Sequence, residues 1–221
     1  MKSRSTVRAL RARRIVSYLR RTYPVPKSEL HYRTPFQFVA AVILSAQCTD
    51  KNVNRVTKAL WKKYSSLDSF ANADPAVFER EIRSIPFFRN KAKAILSAAR
   101  RIRDEHHGRV PESERELVAL PGIGYKTAHV ILGELFGRFD GIPTDTHVKR
   151  FAKRFDLTTH SDLEKISKDL ERLIPKKDWK YVNNGFVLYG RYVCPARPHE
   201  CQQHPLTTLW PPAAKRWVRA R

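Results

Sequence analysis

Apolar residues recur at helical spacing along almost the whole chain. Val7, Leu10, Ile15, Leu19 and Tyr23 can supply one buried stripe near the start. Residues 36–46 (FQFVAAVILSA) are apolar on every side, which predicts a central, buried helix. Single apolar faces follow at Val53, Val56, Leu60 and Tyr64, then at Ile95, Ala98, Ala99 and Ile102, then at Ala128, Ile131, Leu132, Leu135 and Phe136. Further faces are Val148, Phe151, Ala152 and Phe155; Leu163, Ile166, Leu170 and Leu173; and Val182, Phe186 and Tyr189. No run of alternating β-branched residues competes, so the pattern predicts an all-α protein of about ten helices joined by short loops. Breakers divide these helices: Pro24 and Pro26 after the first, Pro86 before two phenylalanines, Pro121 with Gly122 and Gly124 in a tight turn, and Gly141 with Pro143. From Cys194 onward, five prolines and a basic tail predict irregular chain.

Charge changes the picture most. The 221 residues carry 43 Lys and Arg against 21 Asp and Glu, a net charge of +22. Such an excess repels itself in a folded chain and calls for a polyanionic partner, nucleic acid before any anionic membrane, since no long apolar run or lipidation signal accompanies it. Three cysteines (Cys48, Cys194, Cys201) are too few for a disulfide scaffold and suit a reducing compartment. The N-terminus lacks the apolar core of a secretory signal. It is Arg-rich with no acid before Glu29, a faint likeness to a transit peptide, and is read as a basic first helix. The expected location is intracellular: cytoplasm or nucleoid.

Chemistry concentrates in residues 112–136, ESERELVALPGIGYKTAHVILGELF, which read as helix, Pro-Gly-Ile-Gly hairpin, helix. Glycines permit positive φ and a close backbone approach. The second helix would start with its amides and dipole free for a phosphate. An ordinary αα-hairpin is the plain alternative, and the basic chain tips the reading towards DNA backbone. Lys126 lies in the first turn of that second helix, where the dipole favours a neutral amine, the form a nucleophile needs. From this residue alone a phosphate contact is the simpler reading. Asp145, in GIPTDTHVKRF, is a candidate N-cap together with Thr146. It also offers a carboxylate for an oxocarbenium-like transition state, or a proton acceptor for an attacking lysine.

LPGIGYKTAHV followed by TDTHV resembles the endonuclease III family of helix–hairpin–helix DNA glycosylases. LSAQCTDKNVNRVT (44–57), SIPFFRNKA (84–92) and YGRYVC (189–194) resemble further family signatures in the same order. The resemblance implies a two-lobed all-α glycosylase fold with a central cleft. One lobe would span 28–139, and the other 1–27 with 140–221, the two facing across the cleft with Lys126 and Asp145. It implies a bifunctional enzyme of base excision repair, in which Lys126 attacks C1′ of the damaged nucleotide, Asp145 assists, and β-elimination nicks the strand. Gln47 would fill the gap left by the everted base, with Phe87 as the wedge. Gly122 and Gly124 would offer amides to phosphate, Tyr125 and Thr127 would flank the lysine on the DNA side, and His147 would take a supporting hydrogen-bonding role. Duplex DNA with damaged bases or abasic sites is the implied partner, oxidised pyrimidines the implied substrate, and a monomer the expected state. Two alternatives stay open: an AP lyase or a mismatch or alkylation glycosylase, and a non-catalytic DNA-binding module.

Departures from the family pattern matter too. The family commonly closes its C-terminal loop with four cysteines around a [4Fe–4S] cluster. At those positions stand Cys194, Cys201, His204 and Trp210, and tryptophan cannot ligate iron. The expectation is therefore no cluster and no cofactor, with the loop held by Trp210, Pro211 and Pro212. Zinc on Cys194, Cys201 and His204 would lack an evident fourth ligand, and a monovalent cation at the hairpin is an optional feature that the family implies. Tyr125 replaces a usual basic residue, His129 a common asparagine, and Pro86 a customary glycine.

Overall fold

The computed structural model describes residues 4–25 and 27–216; Pro26 and the end of the basic tail lie outside them. In chain order the α-helices are α1 (Arg4–Thr22), α2 (Pro35–Ser45), α3 (Asp50–Lys63), α4 (Leu67–Ala71), α5 (Pro75–Glu81) and α6 (Phe88–Glu105). There follow α7 (Glu114–Ala119), α8 (Tyr125–Phe136), α9 (Thr146–Arg154), α10 (Leu163–Leu173), α11 (Asn183–Tyr192) and α12 (Pro205–Leu209). Short 3-10 turns occupy Lys176–Tyr181 and Pro211–Lys215, and no strand occurs among the described residues. The all-α expectation holds. The count of ten falls short because α4, α5 and α12 have too few turns to display a period; α4 and α5 each begin at a side-chain cap, Ser66 and Asp74, and α12 interrupts the stretch after Cys194 expected to be irregular.

Contacts divide the chain into two compact units, Ser28–Arg138 and Met1–Lys27 with Phe139–Arg221. The core of the Ser28–Arg138 unit is built on α2, whose residues Phe36 to Leu44 are all buried. Even Gln37 is buried, its amide donating to the Tyr64 carbonyl (2.9 Å). Around α2 pack Val53 and Leu60 of α3, Ile95, Ala98, Ala99 and Ile102 of α6, and Ala128, Ile131 and Leu132 of α8. In the second unit, α1 packs through Ala12, Ile15, Val16 and Leu19 against Phe151, Leu170, Phe186 and Tyr189. The expected stripe on α1 is thus corrected at its N-terminal end: Val7 and Leu10 are exposed. At 100° per residue Leu10 falls opposite the buried stripe of Ala12, Ile15, Val16 and Leu19, and Val7 falls outside it. Leu163, the first residue of α10, is exposed as well. No helix among the described residues is long and apolar enough to cross a membrane.

Candidate functional site

In the Ser28–Arg138 unit, α7 and α8 join through Leu120–Gly124. Gly122 adopts φ +79°, and a Cβ there would lie 2.8 Å from Ala94 Cβ and 3.5 Å from Ile43 Cγ2, so both backbone and packing demand glycine. Gly124 caps α8 with no side-chain hydrogen bond, and nothing lies within 4 Å of where its Cβ would be. The hairpin is braced by His129, whose Nε2 lies 2.9 Å from a Glu114 carboxylate oxygen, and by Arg101, which donates to the Ala119 carbonyl at the end of α7 (2.6 Å). Lys126 is exposed in the first turn of α8, with Thr127 half-buried beside it; the Tyr125 ring leans on His129 (centroids 4.4 Å).

Within this unit α2, α3, α4, α5 and α7 each have a side-chain N-cap, whereas α6 and α8 have none. The open ends belong to the two segments read as touching DNA. At α6 the cap residue is Phe87, in the left-handed region (φ 58°, ψ 32°) and 62% exposed, while Phe88 packs on the core. Gln47, past the end of α2, is also left-handed (φ 54°) and exposed. Non-glycine residues rarely adopt this conformation, and it persists where the surroundings impose it.

What imposes it at Gln47 includes a residue the sequence reading did not single out. Lys91 of α6 is buried, and its ammonium donates to the carbonyls of Leu44 (2.9 Å) and Ala46 (2.5 Å). It thereby satisfies one carbonyl in the last turn of α2 and that of its C-cap, and pins the turn that carries Gln47. Burial pushes its pKa down. Asn52 and Arg55 of α3 reach Ser84 on the segment leading to Phe87 (3.4 and 3.2 Å), so one set of α3 and α6 side chains ties both loops.

In the second unit, Asp145 rather than Thr146 is the N-cap of α9, its carboxylate accepting from the Val148 amide (2.9 Å). His147, Arg150 and Arg154 recur along one face of α9. The His147 ring and the Arg150 guanidinium lie so close to Gly190 of α11 that a Cβ there would collide with both. Arg150 donates to the carbonyls of Cys194 and Pro195 (2.8 Å each). Arg154, fully buried, donates to Cys194 Sγ (3.0 Å) and Cys201 Sγ (3.2 Å).

Residues 40–176 match the HhH-GPD superfamily of base excision DNA repair proteins. Over 203 residues the chain is 44% identical to endonuclease III of Synechocystis sp., spanning 92% of this chain and 93% of that one. The chain belongs to the endonuclease III family. Endonuclease III of Bacillus subtilis is 40% identical over 88% of this chain and 89% of its own. Among solved structures, a trapped endonuclease III–DNA covalent intermediate superposes with a TM-score of 0.86 at 35% identity, covering 99% of this chain and all of that one.

The expectation of no metal needs correction in this endonuclease III relative. Ligand atoms of Cys194, His199 and Cys201 all lie within 4.8 Å of one another, a group able to hold a metal ion. His199, absent from the sequence reading, enters because the loop folds back between the two cysteines. His204, the third donor expected from the sequence, caps α12 with its ring tilted against that of His199 (centroids 5.0 Å). Both cysteines are buried, and burial pushes the Cys194 thiol up despite the opposing Arg154.

Proposed function

We infer that the protein is a bifunctional DNA glycosylase and AP lyase of base excision repair, acting on duplex DNA with damaged bases or abasic sites. The observation that carries the reading is the hairpin: a glycine turn, an uncapped helix start and an exposed lysine in its first turn, in a chain of the endonuclease III family. The amides at Gly122 and Gly124 take a backbone phosphate, with Tyr125 and Thr127 against the same strand. Gln47 and Phe87, on strained turns of the Ser28–Arg138 unit, hold the gap left by the everted nucleotide.

Lys126 Nζ, as the neutral amine, forms a bond to C1′ while the glycosidic bond breaks, and the proton that the amine sheds leaves with the base. The Asp145 carboxylate stabilises positive charge developing on the sugar. Ring opening gives an imine. A proton then leaves C2′, the C3′–O bond breaks, and the strand is nicked on the 3′ side of the lesion. His147 supports α9. Oxidised pyrimidines are the proposed base substrates, and the chromosome is the proposed place of work. A four-iron cluster is not part of this reading, because the C-terminal loop offers two thiols.

Strand cleavage tests it. Wild type should nick duplexes containing thymine glycol or an abasic site, whereas Lys126→Ala should bind both and nick neither. Cleavage at the abasic site alone would leave a lyase without this base substrate. Binding without cleavage by the wild type would contradict the enzymatic reading.

A further inference from the structure

We propose that the loop between α11 and α12 holds one tetrahedral zinc ion, on Cys194, Cys201, His199 and His204, in place of the four-iron cluster of its family. Donor chemistry argues first. Each iron of a [4Fe–4S] cluster takes its own ligand, as a rule a thiolate. Here the loop has two thiols. The third cysteine, Cys48, belongs to the Ser28–Arg138 unit, where its sulfur accepts from Asn52 (3.3 Å). Trp210, at the family's fourth position, has no donor for iron. Its ring is engaged by the guanidinium groups of Arg11 (4.1 Å) and Arg216 (4.9 Å) and by Phe155 (6.4 Å). These residues do not fit the cluster.

Scale argues next. Donors on a single zinc, with Zn–S about 2.3 Å and Zn–N about 2.0–2.1 Å, stand about 3.3–3.8 Å apart along the edges of the tetrahedron. The ligand atoms of Cys194, Cys201 and His199 already lie within 4.8 Å of one another, so a closure of roughly an ångström brings these three onto one ion, and His204, which stands outside that group, must turn in to complete the sphere. Ligands of a cluster sit on separate irons with the inorganic core between them, and so stand farther apart. A tetrahedral S2N2 set on one ion is zinc's.

The fourth donor is His204. Its ring faces that of His199, and its Nδ1 is buried with no hydrogen bond. A buried polar atom left so is unfavourable until it finds a partner, and a metal ion is one. The surrounding groups are those that ligands need. His199 Nδ1–H donates to the Arg197 carbonyl (2.7 Å), the kind of backbone hydrogen bond that orients a ligating imidazole. Arg154, anchored on the Ala213 carbonyl (2.9 Å), donates to both sulfurs and holds them side by side. With every coordination position filled by protein the site is structural, a knot that ties residues 194–204 to α9.

The test is metal analysis of the full chain produced with both iron and zinc in the medium. One zinc per chain, little iron and no visible cluster absorption are expected. Cobalt in its place should give thiolate-to-cobalt charge transfer that Cys201→Ser weakens. His199→Gln and His204→Gln should each lower zinc affinity at least about tenfold in chelator competition. Because a ligand variant can misfold, the wild type supplies a second readout: zinc should slow alkylation of two of its three thiols. Stoichiometric cluster iron would overturn the proposal. So would thiols that alkylate equally fast with and without zinc, or full zinc affinity in either histidine variant.

Discussion

Replacing each glycine of the hairpin by alanine separates its two jobs. At Gly122 the backbone is left-handed, which costs an alanine about 1–2 kcal/mol. The new methyl would stand 2.8 Å from Ala94 Cβ, an atom fixed to the α6 backbone that cannot swing aside, so hairpin and helix must separate. Overpacking of this kind costs about 1–3 kcal/mol. Gly122→Ala should therefore lose about 2–5 kcal/mol, a fall in Tm of roughly 4–20 °C for a chain of this size. At Gly124, φ is −95° and nothing lies within 4 Å of the new methyl. Gly124→Ala should stay within about 1 kcal/mol of wild type. Its methyl would instead occupy the space through which a phosphate reaches the first amides of α8, and affinity for an abasic-analogue duplex should drop. Urea unfolding and fluorescence anisotropy measure the two effects. Equal stability losses in both variants, or unchanged DNA affinity in Gly124→Ala, would refute this account of the hairpin.

Lys91→Met removes the donor to the Leu44 and Ala46 carbonyls while relieving a buried ammonium, for a net loss of about 1–3 kcal/mol. Because the turn it pins carries Gln47, excision of a damaged base should fall more than cleavage at a preformed abasic site. Asp145→Asn keeps a good N-cap and removes the charge, so activity should drop roughly 10²–10³-fold with unchanged Tm, whereas Asp145→Ala should also lose about 1 kcal/mol of stability. Asp156 is partly desolvated, but Arg11 and Arg8 more than offset this and hold its carboxyl below the usual range. A depressed folded pKa gives stability that is present above the unfolded value and lost as pH falls through the folded one. The advantage of wild type over Asp156→Asn in urea unfolding at pH 7 should thus disappear well below about pH 4.

How much could be read from the sequence follows from what the pattern encodes. α2 was legible because every one of its faces is buried, and α9 because its apolar positions repeat cleanly. The hairpin and Asp145 were legible because glycine and capping chemistry are local. Buried charges were not: Lys91, Arg150 and Arg154 look like surface residues in a basic chain, and only tertiary carbonyls and sulfurs explain their burial. Nor could adjacency decide between Phe87 and Phe88; the left-handed turn sends one outward and the other into the core. His199 is not legible from the family's cysteine spacing, which runs along the chain, while the fold brings donors together in space.

Borohydride trapping with peptide mapping tests the central claim most directly. Wild type incubated with an abasic duplex and reductant should give a covalent adduct whose DNA remnant maps to Lys126, absent from Lys126→Ala. An adduct mapped to another amine, or one that persists in Lys126→Ala, would contradict the assignment of the nucleophile.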